Sequence, residues 1–225
     1  MNAQLLGFFS GFPSRHFPDD IAARLREELV VREGLVFISA WPSDYEWNDG
    51  DSAGMYGMFE ECDMPFSRYD VIDNRTDPLK AKQLIQEASC IFLMGGHAVW
   101  QFQLICEKGI AEEIRRSTAV ILGVSAGSIN MAKHSVDIWE SLEPYDGLGL
   151  ADITVKAHFD MENKELLQTL QQVSRKIPVC AMEDESAIFV KGGHATYIGR
   201  IHLVTEGTIS PLTQEILGKM TEKLR

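Results

Sequence analysis

Basic residues are scarce in this chain. Its 225 residues carry 21 Lys and Arg against 33 Asp and Glu, a formal net charge of −12. Such a surface repels phosphate backbones, which argues against nucleic acid as a partner. Long apolar runs are absent too. No stretch approaches the ~18 apolar residues of a spanning helix, so no membrane partner is expected. The chain shows no internal repeat, low-complexity tract or linker, and residues 1–225 are expected to form one α/β domain. Cysteine is limited to Cys62, Cys90, Cys106 and Cys180, with no C-x-x-C pair. These are expected to be buried, reduced thiols of a cytoplasmic protein, and no neighbour marks any of them as an activated nucleophile. The opening residues lack a basic region ahead of the apolar stretch, so they read as a first strand and not as a signal peptide.

What is present is an alternation of two periodicities. Apolar runs at 5–9, 35–39, 69–72, 90–94 and 118–122 predict strands. Helical patterns at 18–31, 52–61, 78–88, 99–108 and 110–116 lie between them, with a polar and aromatic loop over 41–50. Strands separated by helices predict a mostly parallel, doubly wound sheet in three layers. The last third changes character. A strand at 153–157 and a helix at 164–176 lead to short runs at 179–182, 187–190, 195–198 and 201–204, then a last helix over 212–224. This is a β-rich C-terminal part, with Gly192-Gly193 suited to a hairpin turn.

Gly123-Val124-Ser125-Ala126-Gly127 follows a clean apolar strand and opens a helical segment. A serine at such a strand-to-helix turn sits in a strained conformation, and glycine two before and two after removes side chains that would collide with neighbouring elements. The Ser125 hydroxyl then stands clear of the sheet, and the Ala126 amide is placed to donate to an oxyanion. Gly95-Gly96 ends the preceding strand, and its free amides are the second candidate donors. A serine nucleophile needs a base, and the base needs an orienting acceptor. Of six histidines, His158 lies just past a strand's carboxyl end, where ligands bind in open α/β sheets. His97 reads as a rim residue, and His134 lies too far along from Ser125. The acceptor is expected from Glu183-Asp184-Glu185, after the strand at 179–182.

The segments Phe92-Leu93-Met94-Gly95-Gly96-His97, Gly123-Val124-Ser125-Ala126-Gly127-Ser128, Gly147-Leu148-Gly149-Leu150, Ala157-His158-Phe159 and Met182-Glu183-Asp184-Glu185-Ser186 resemble, in order and spacing, the peptidase E and cyanophycinase family of serine peptidases. The likeness covers residues 90–207. The resemblance implies a flavodoxin-like, class I glutamine-amidotransferase-like fold, with Ser125 as nucleophile and His158 as general base. It sets Asp184 where the family usually carries glutamate, with Glu183 as the alternative acid, and it matches Gly96 and Ala126 to the oxyanion amides. It implies a small peptide substrate, with an aspartyl preference in the peptidase E branch, and neither metal nor organic cofactor. Val124 and Ala157 depart from the family's usual aromatic residue and proline.

Two other readings compete. An α/β-hydrolase esterase also uses G-x-S-x-G, but its histidine comes last, which would select His194 or His202. A non-catalytic amidotransferase-like module would bind a metabolite or partner. Arg68, Arg75, Lys133 and Arg200 are the cations available to an acidic substrate, although solvation is the ordinary role of each. Trp41, Tyr45 and Trp47 suit either a homodimer surface or a substrate lid.

Overall fold

The computed structural model describes residues 4–136, 138 and 142–221. In chain order the elements are β1 (Leu5–Phe9), α1 (Asp19–Glu28), β2 (Gly34–Ala40), α2 (Tyr45–Glu61), β3 (Arg68–Ile72), α3 (Pro78–Glu87), β4 (Cys90–Gly96), α4 (Ala98–Glu107), α5 (Ala111–Arg116), β5 (Val120–Val124) and α6 (Ala126–Met131). There follow β6 (His134–Ser135), β7 (Tyr145–Asp146), β8 (Val155–Lys156), α7 (Lys164–Val173), β9 (Val179–Met182), β10 (Ala187–Lys191), β11 (His194–Ile198), β12 (Ile201–Thr205), β13 (Thr208–Pro211) and α8 (Gln214–Thr221).

A seven-stranded sheet runs in the order β11-β10-β1-β5-β4-β2-β3. The five strands from β1 to β3 are parallel, while β10 and β11 add an antiparallel edge. Side-chain alternation along these strands divides the core between two faces. Leu6, Phe8, Val36, Ile38, Ile91, Leu93 and Ile121 point to one face, where they meet apolar residues of α3, α4, α5, α6 and α8. Leu5, Phe9, Leu35, Phe37, Phe92, Leu122 and Val124 point to the other, under α1 and α2. The parallel strands are therefore apolar on both faces, as the sequence runs predict. Each fully buried Phe or Leu contributes roughly 1.5–3 kcal/mol of transfer free energy. Among the described residues, no helix is long and apolar enough to cross a membrane.

Several sequence expectations shift in detail. The polar stretch after β2 is not a loop to residue 50: α2 starts at Tyr45, because the Asp44 side chain accepts the Trp47 N–H and caps the helix there. The strand expected over 153–157 shortens to β8. Strand β13 has no strong periodic signal and is formed by pairing with β12. Residues 222–224 of the expected last helix lie outside the described residues. Gly192-Gly193 does make the two-residue turn between β10 and β11, both glycines at positive φ.

The β-rich C-terminal part divides between two sheets. β10 and β11 join the central sheet, whereas β8, β9, β12 and β13 form a separate sheet in the order β13-β12-β9-β8. A third cluster, with Phe159, Leu170, Val173 and Val204, packs this sheet under α7. The carboxyl ends of β8 and β9 thereby face the carboxyl ends of β1 and β5.

The turn after β5 is built without slack. A Cβ on Gly127 would collide with the Leu93 carbonyl, and one on Gly123 would lie 2.7 Å from Gly127 carbonyl carbon and Met131 Sδ. The crowding comes from backbone, which cannot yield cheaply. Gly127→Ala should lower the unfolding free energy by roughly 1–3 kcal/mol, read from urea denaturation. A change within about 0.5 kcal/mol, the range of an ordinary surface substitution, would contradict this packing.

Candidate active site

Ser125 is the residue between β5 and α6, with φ 51° and ψ −110°. A non-glycine residue in that region carries strain, and it persists only where the surroundings dictate it. Here they do. Ser125 N–H donates to Phe9 carbonyl at 3.0 Å, and Ile129 N–H donates to Ser125 carbonyl at 3.1 Å. The buried Ser128 hydroxyl accepts the Phe9 N–H at 2.9 Å and lies 2.6 Å from the Gly123 carbonyl, to which it donates. The turn is thus clamped to the end of β1.

His158 also has positive φ, 53°, two residues past the end of β8. Its Nδ1 lies 2.7 Å from Asp184 Oδ1 and its Nε2 lies 2.9 Å from Ser125 Oγ. An ionised carboxylate only accepts, so the ring proton sits on Nδ1 and Nε2 is left to accept the serine proton. The three side chains form one hydrogen-bonded chain. His158 is half exposed and Asp184 is 39% exposed, so solvent and substrate reach them.

Of the two acids left open by the sequence, Asp184 is the one within hydrogen-bond distance of His158. Glu183 points the other way: its Oε1 lies 3.0 Å from His202 Nε2 and its Oε2 lies 2.9 Å from Arg200 Nε. Neighbouring residues past the end of β9 point to opposite sides, so the pair cannot share one role. His202 is therefore engaged with Glu183 and lies tilted at 59° against Phe159, ring centroids 5.3 Å apart. His194 lies in the hairpin beside Lys191, which pairs with Leu5, at the other end of β1 from Phe9. Four residues of strand put it about 13 Å away from the Ser125 end. The hydrogen-bonded order along the chain is 125, 158, 184, and the histidine does not come last.

Ser10 and Gly11, just past β1, are residues that the sequence patterns did not mark. The buried Ser10 hydroxyl accepts the His158 N–H at 2.8 Å and donates to Met182 carbonyl at 2.9 Å. Gly11 carbonyl accepts the Glu185 N–H at 2.8 Å. A Cβ on Gly11 would collide with the His158 ring and lie 2.7 Å from Asp184 Oδ1. Both residues lock the second sheet to the first, and only a three-dimensional neighbourhood reveals them.

Gly96 ends β4 at φ 136°, a conformation for which glycine is suited. Gly95 is adjacent to the turn, its missing Cβ 3.7 Å from Ser125 Cβ. Ala126 is the first residue of α6, among the helix positions whose N–H has no intrahelical acceptor. Gly96, Ser125, Ala126 and His158 line one cavity of about 730 Å³. His97 caps α4, and His134 lies 3.3 Å from Asp146, away from this chain of hydrogen bonds.

Of the cations offered by the sequence, Arg68 pairs with Glu87, Arg75 with Asp49 and Asp73, and Arg200 with Glu183, while Lys133 is exposed. The cation that lines the Ser125 cavity is Lys156, only 7% exposed, its Nζ donating to Ala157 carbonyl at 2.5 Å. A lysine inside the apolar run Val155-Lys156-Ala157, two residues before His158, was the available signal. Among the described residues, no cluster of three or more His, Cys, Asp or Glu is placed to hold a metal ion.

All four cysteines are unpaired, but against expectation only Cys90 and Cys180 are buried: Cys62 is half-buried and Cys106, on α4, is exposed. Burial pushes the Cys180 thiol up to about 12 and raises Cys90 further; burial also raises Cys62. A thiol held protonated is a poor nucleophile. Iodoacetamide at neutral pH should therefore alkylate the exposed Cys106 first and spare Cys90 and Cys180 in the folded protein, as read by peptide mass spectrometry. Rapid native-state modification of Cys90 or Cys180 would contradict this burial.

Comparisons with known proteins show a family and a shared fold. The model of peptidase family S51 matches residues 45–198, starting well before the residue-90 boundary of the sequence resemblance. A crystal structure of a peptidase from an acI-B1 Actinobacterium superposes with a TM-score of 0.75 at 14% identity, covering 94% of this chain and 95% of that one. A protein of Listeria monocytogenes EGD-e named for peptidase E superposes with a TM-score of 0.66 at 17% identity, covering 87% of this chain and 98% of that one. At these identities the two structures establish the shared fold. No curated protein matches the chain in sequence.

Proposed function

The chain belongs to peptidase family S51 and is a serine-type peptidase, and from that premise we propose that Ser125 is its nucleophile, His158 its general base and Asp184 the acid that orients the base. The observation that carries this reading is the continuous hydrogen-bonded chain from Ser125 Oγ through His158 to Asp184. Ser125 Oγ attacks the peptide carbonyl while His158 Nε2 takes its proton. Asp184 holds the proton on Nδ1 and stabilises the imidazolium that forms. The carbonyl oxygen becomes an oxyanion, which the amides of Gly96 and Ala126 receive. Collapse breaks the C–N bond, and His158 returns its proton to the departing amine. Water then attacks the acyl-Ser125 ester by the same base, releasing the acid and regenerating the serine. Every group in this scheme belongs to one chain, and the chemistry requires neither metal nor organic cofactor.

The substrate is a small peptide, and the buried Lys156 ammonium in the Ser125 cavity supports a preference for an acidic, aspartyl residue. A charge-assisted hydrogen bond to a carboxylate is worth about 1.5–3 kcal/mol, or roughly 10- to 150-fold in discrimination. Four unpaired cysteines fit a reducing compartment, which supports a cytoplasmic location.

Hydrolysis of a short peptide panel tests the assignment. Ser125→Ala should reduce kcat/KM by about 10⁴-fold or more, and Asp184→Asn by roughly 10³- to 10⁴-fold. Glu183→Gln and His202→Ala should each cost less than about tenfold, since neither group touches the reacting chain. Equal losses from Glu183→Gln and Asp184→Asn would sink the choice of acid. Loss from His202→Ala with activity retained in His158→Ala would favour the esterase arrangement. Lys156→Met should abolish any preference for an aspartyl over an asparaginyl substrate; an unchanged ratio would remove Lys156 from specificity.

A further inference from the structure

β4 ends at Gly95-Gly96, beside the Ser125 turn, and the carbonyls on either side of this end are held from within the protein. β4 pairs with β2 in register up to Ile38 against Leu93, then slips, so that Ala40 stands against Gly96. Two steps along β2 therefore match three along β4, which bends the strand end and interrupts the ladder. The Gln101 side chain serves that interruption. Its Nε2 donates to the Ile38 carbonyl at 2.9 Å and to the Met94 carbonyl at 3.0 Å. Carbonyls only accept, so the nitrogen faces them and Oε1 is left to accept from α6. There Asn130 Nδ2 donates to Gln101 Oε1 at 3.0 Å and to the Ala98 carbonyl at 2.8 Å. Asn130 Oδ1 accepts the Tyr145 hydroxyl at 3.1 Å.

Both carboxamides are fully buried. They stand on helices whose Leu104, Ile105, Ile129 and Met131 belong to the apolar core. A buried amide destabilises unless its hydrogen bonds are made. Here they are made, and they go to backbone that borders the site. Met94 and Ala98, whose carbonyls accept them, bracket Gly95, Gly96 and His97. Asn130 lies one helical turn past Ala126 on α6. One amide pair thus ties the strand end that carries the Gly96 N–H to the helix that carries the Ala126 N–H. Each end of each amide has a partner, so neither side chain is free to rotate.

We propose that Gln101 and Asn130 are positioning residues for the oxyanion site: their paired carboxamides set the separation and direction of the Gly96 and Ala126 amides. This rests on the triad and oxyanion reading given above, and deepens it by naming what aims the two donors. Both side chains are fully buried, so neither touches substrate. Donors in an oxyanion site act at about 2.7–3.1 Å, and a displacement on the order of 1 Å costs about 100-fold in rate. The hydrogen bonds that join Ser125, His158 and Asp184 involve neither residue. Loss of the pair is therefore felt at the oxyanion and not at the base.

The test is the rate at which diisopropyl fluorophosphate modifies Ser125, followed by intact-protein mass spectrometry across pH. Ser125 Oγ displaces fluoride, and the phosphoryl oxygen gains charge where the oxyanion would lie. Gln101→Met keeps the reach of the side chain and removes both donors. Its plateau rate should fall about 10- to 100-fold, while the midpoint of the pH profile, which reports His158, stays where it is in the unaltered protein. Asn130→Leu should act likewise. The Gln101→Met/Asn130→Leu double variant should lose no more than the worse single variant, because the two amides act as one unit. Circular dichroism checks the fold of each. If Gln101→Met does not fold, Gln101→Asn, which keeps the amide but is one methylene too short to span both carbonyls, takes its place. A plateau within about twofold of the unaltered protein's, a shifted midpoint, or losses that multiply in the double variant would each overturn the proposal. So would unfolding of both Gln101 variants, since the amide would then hold the fold and not aim the site. An unaltered protein that gains no adduct on Ser125 would instead remove the triad reading, and this inference with it, before any variant is compared.

Discussion

The hydroxyl of Ser128 holds the site together more than any other single group. It sits fully buried one turn beyond Ser125, takes the Phe9 N–H, and lies within hydrogen-bond distance of the carbonyls of both Gly123 and Phe9. Without such a clamp, a serine at φ 51° would relax toward an ordinary conformation, and its hydroxyl would leave the sheet edge. The clamp also explains why both flanking glycines are required. β4, β5 and α6 come close enough that the space for any Cβ is already filled by backbone. Strain, close packing and the direction of the hydroxyl are thus one structural fact.

A second constraint joins two sheets. The serine belongs to the central sheet, but His158 and Asp184 follow strands of the four-stranded sheet beside it. Their alignment to within hydrogen-bond distance depends on the end of β1. There Ser10 bridges His158 N–H and Met182 carbonyl, and Ser10 and Gly11 are tied to the backbone of Ser186 and Glu185. The antiparallel pairing of β10 on β1 brings the Asp184 loop back to this point. The Ser125–His158–Asp184 geometry is therefore set by hydrogen bonds several residues away, and a small misplacement at the sheet junction would be felt at His158.

Much of this was legible in the sequence because two physical signals are strong. Apolar runs such as 90–94 and 118–122 are short and end at glycine, which favours strands buried on both faces (the second runs two residues later, as Val120–Val124), and glycine at 123 and 127 suits a crowded turn. His158 was legible from its place after a strand. The choice between Asp184 and Glu183 was not, because which side a residue faces past a strand end depends on the local turn; here Glu185 at φ 61° shapes it. Ser10 and Gly11 were invisible for a related reason: their partners lie more than 140 residues away. Lys156 was hidden within a short strand, since cavity formation is a property of how elements meet. The boundary of α2 was missed because the Asp44 cap outweighs three helix-weakening glycines in that segment.

On the proposed mechanism, one strained serine, activated by one histidine, performs the chemistry. Intact-protein and peptide mass spectrometry after treatment with a fluorophosphonate measures this most directly. A single covalent adduct is expected, located on Ser125, whose formation slows by orders of magnitude in His158→Ala. An adduct on another residue, no adduct on the folded protein, or an unchanged rate without His158 would contradict it.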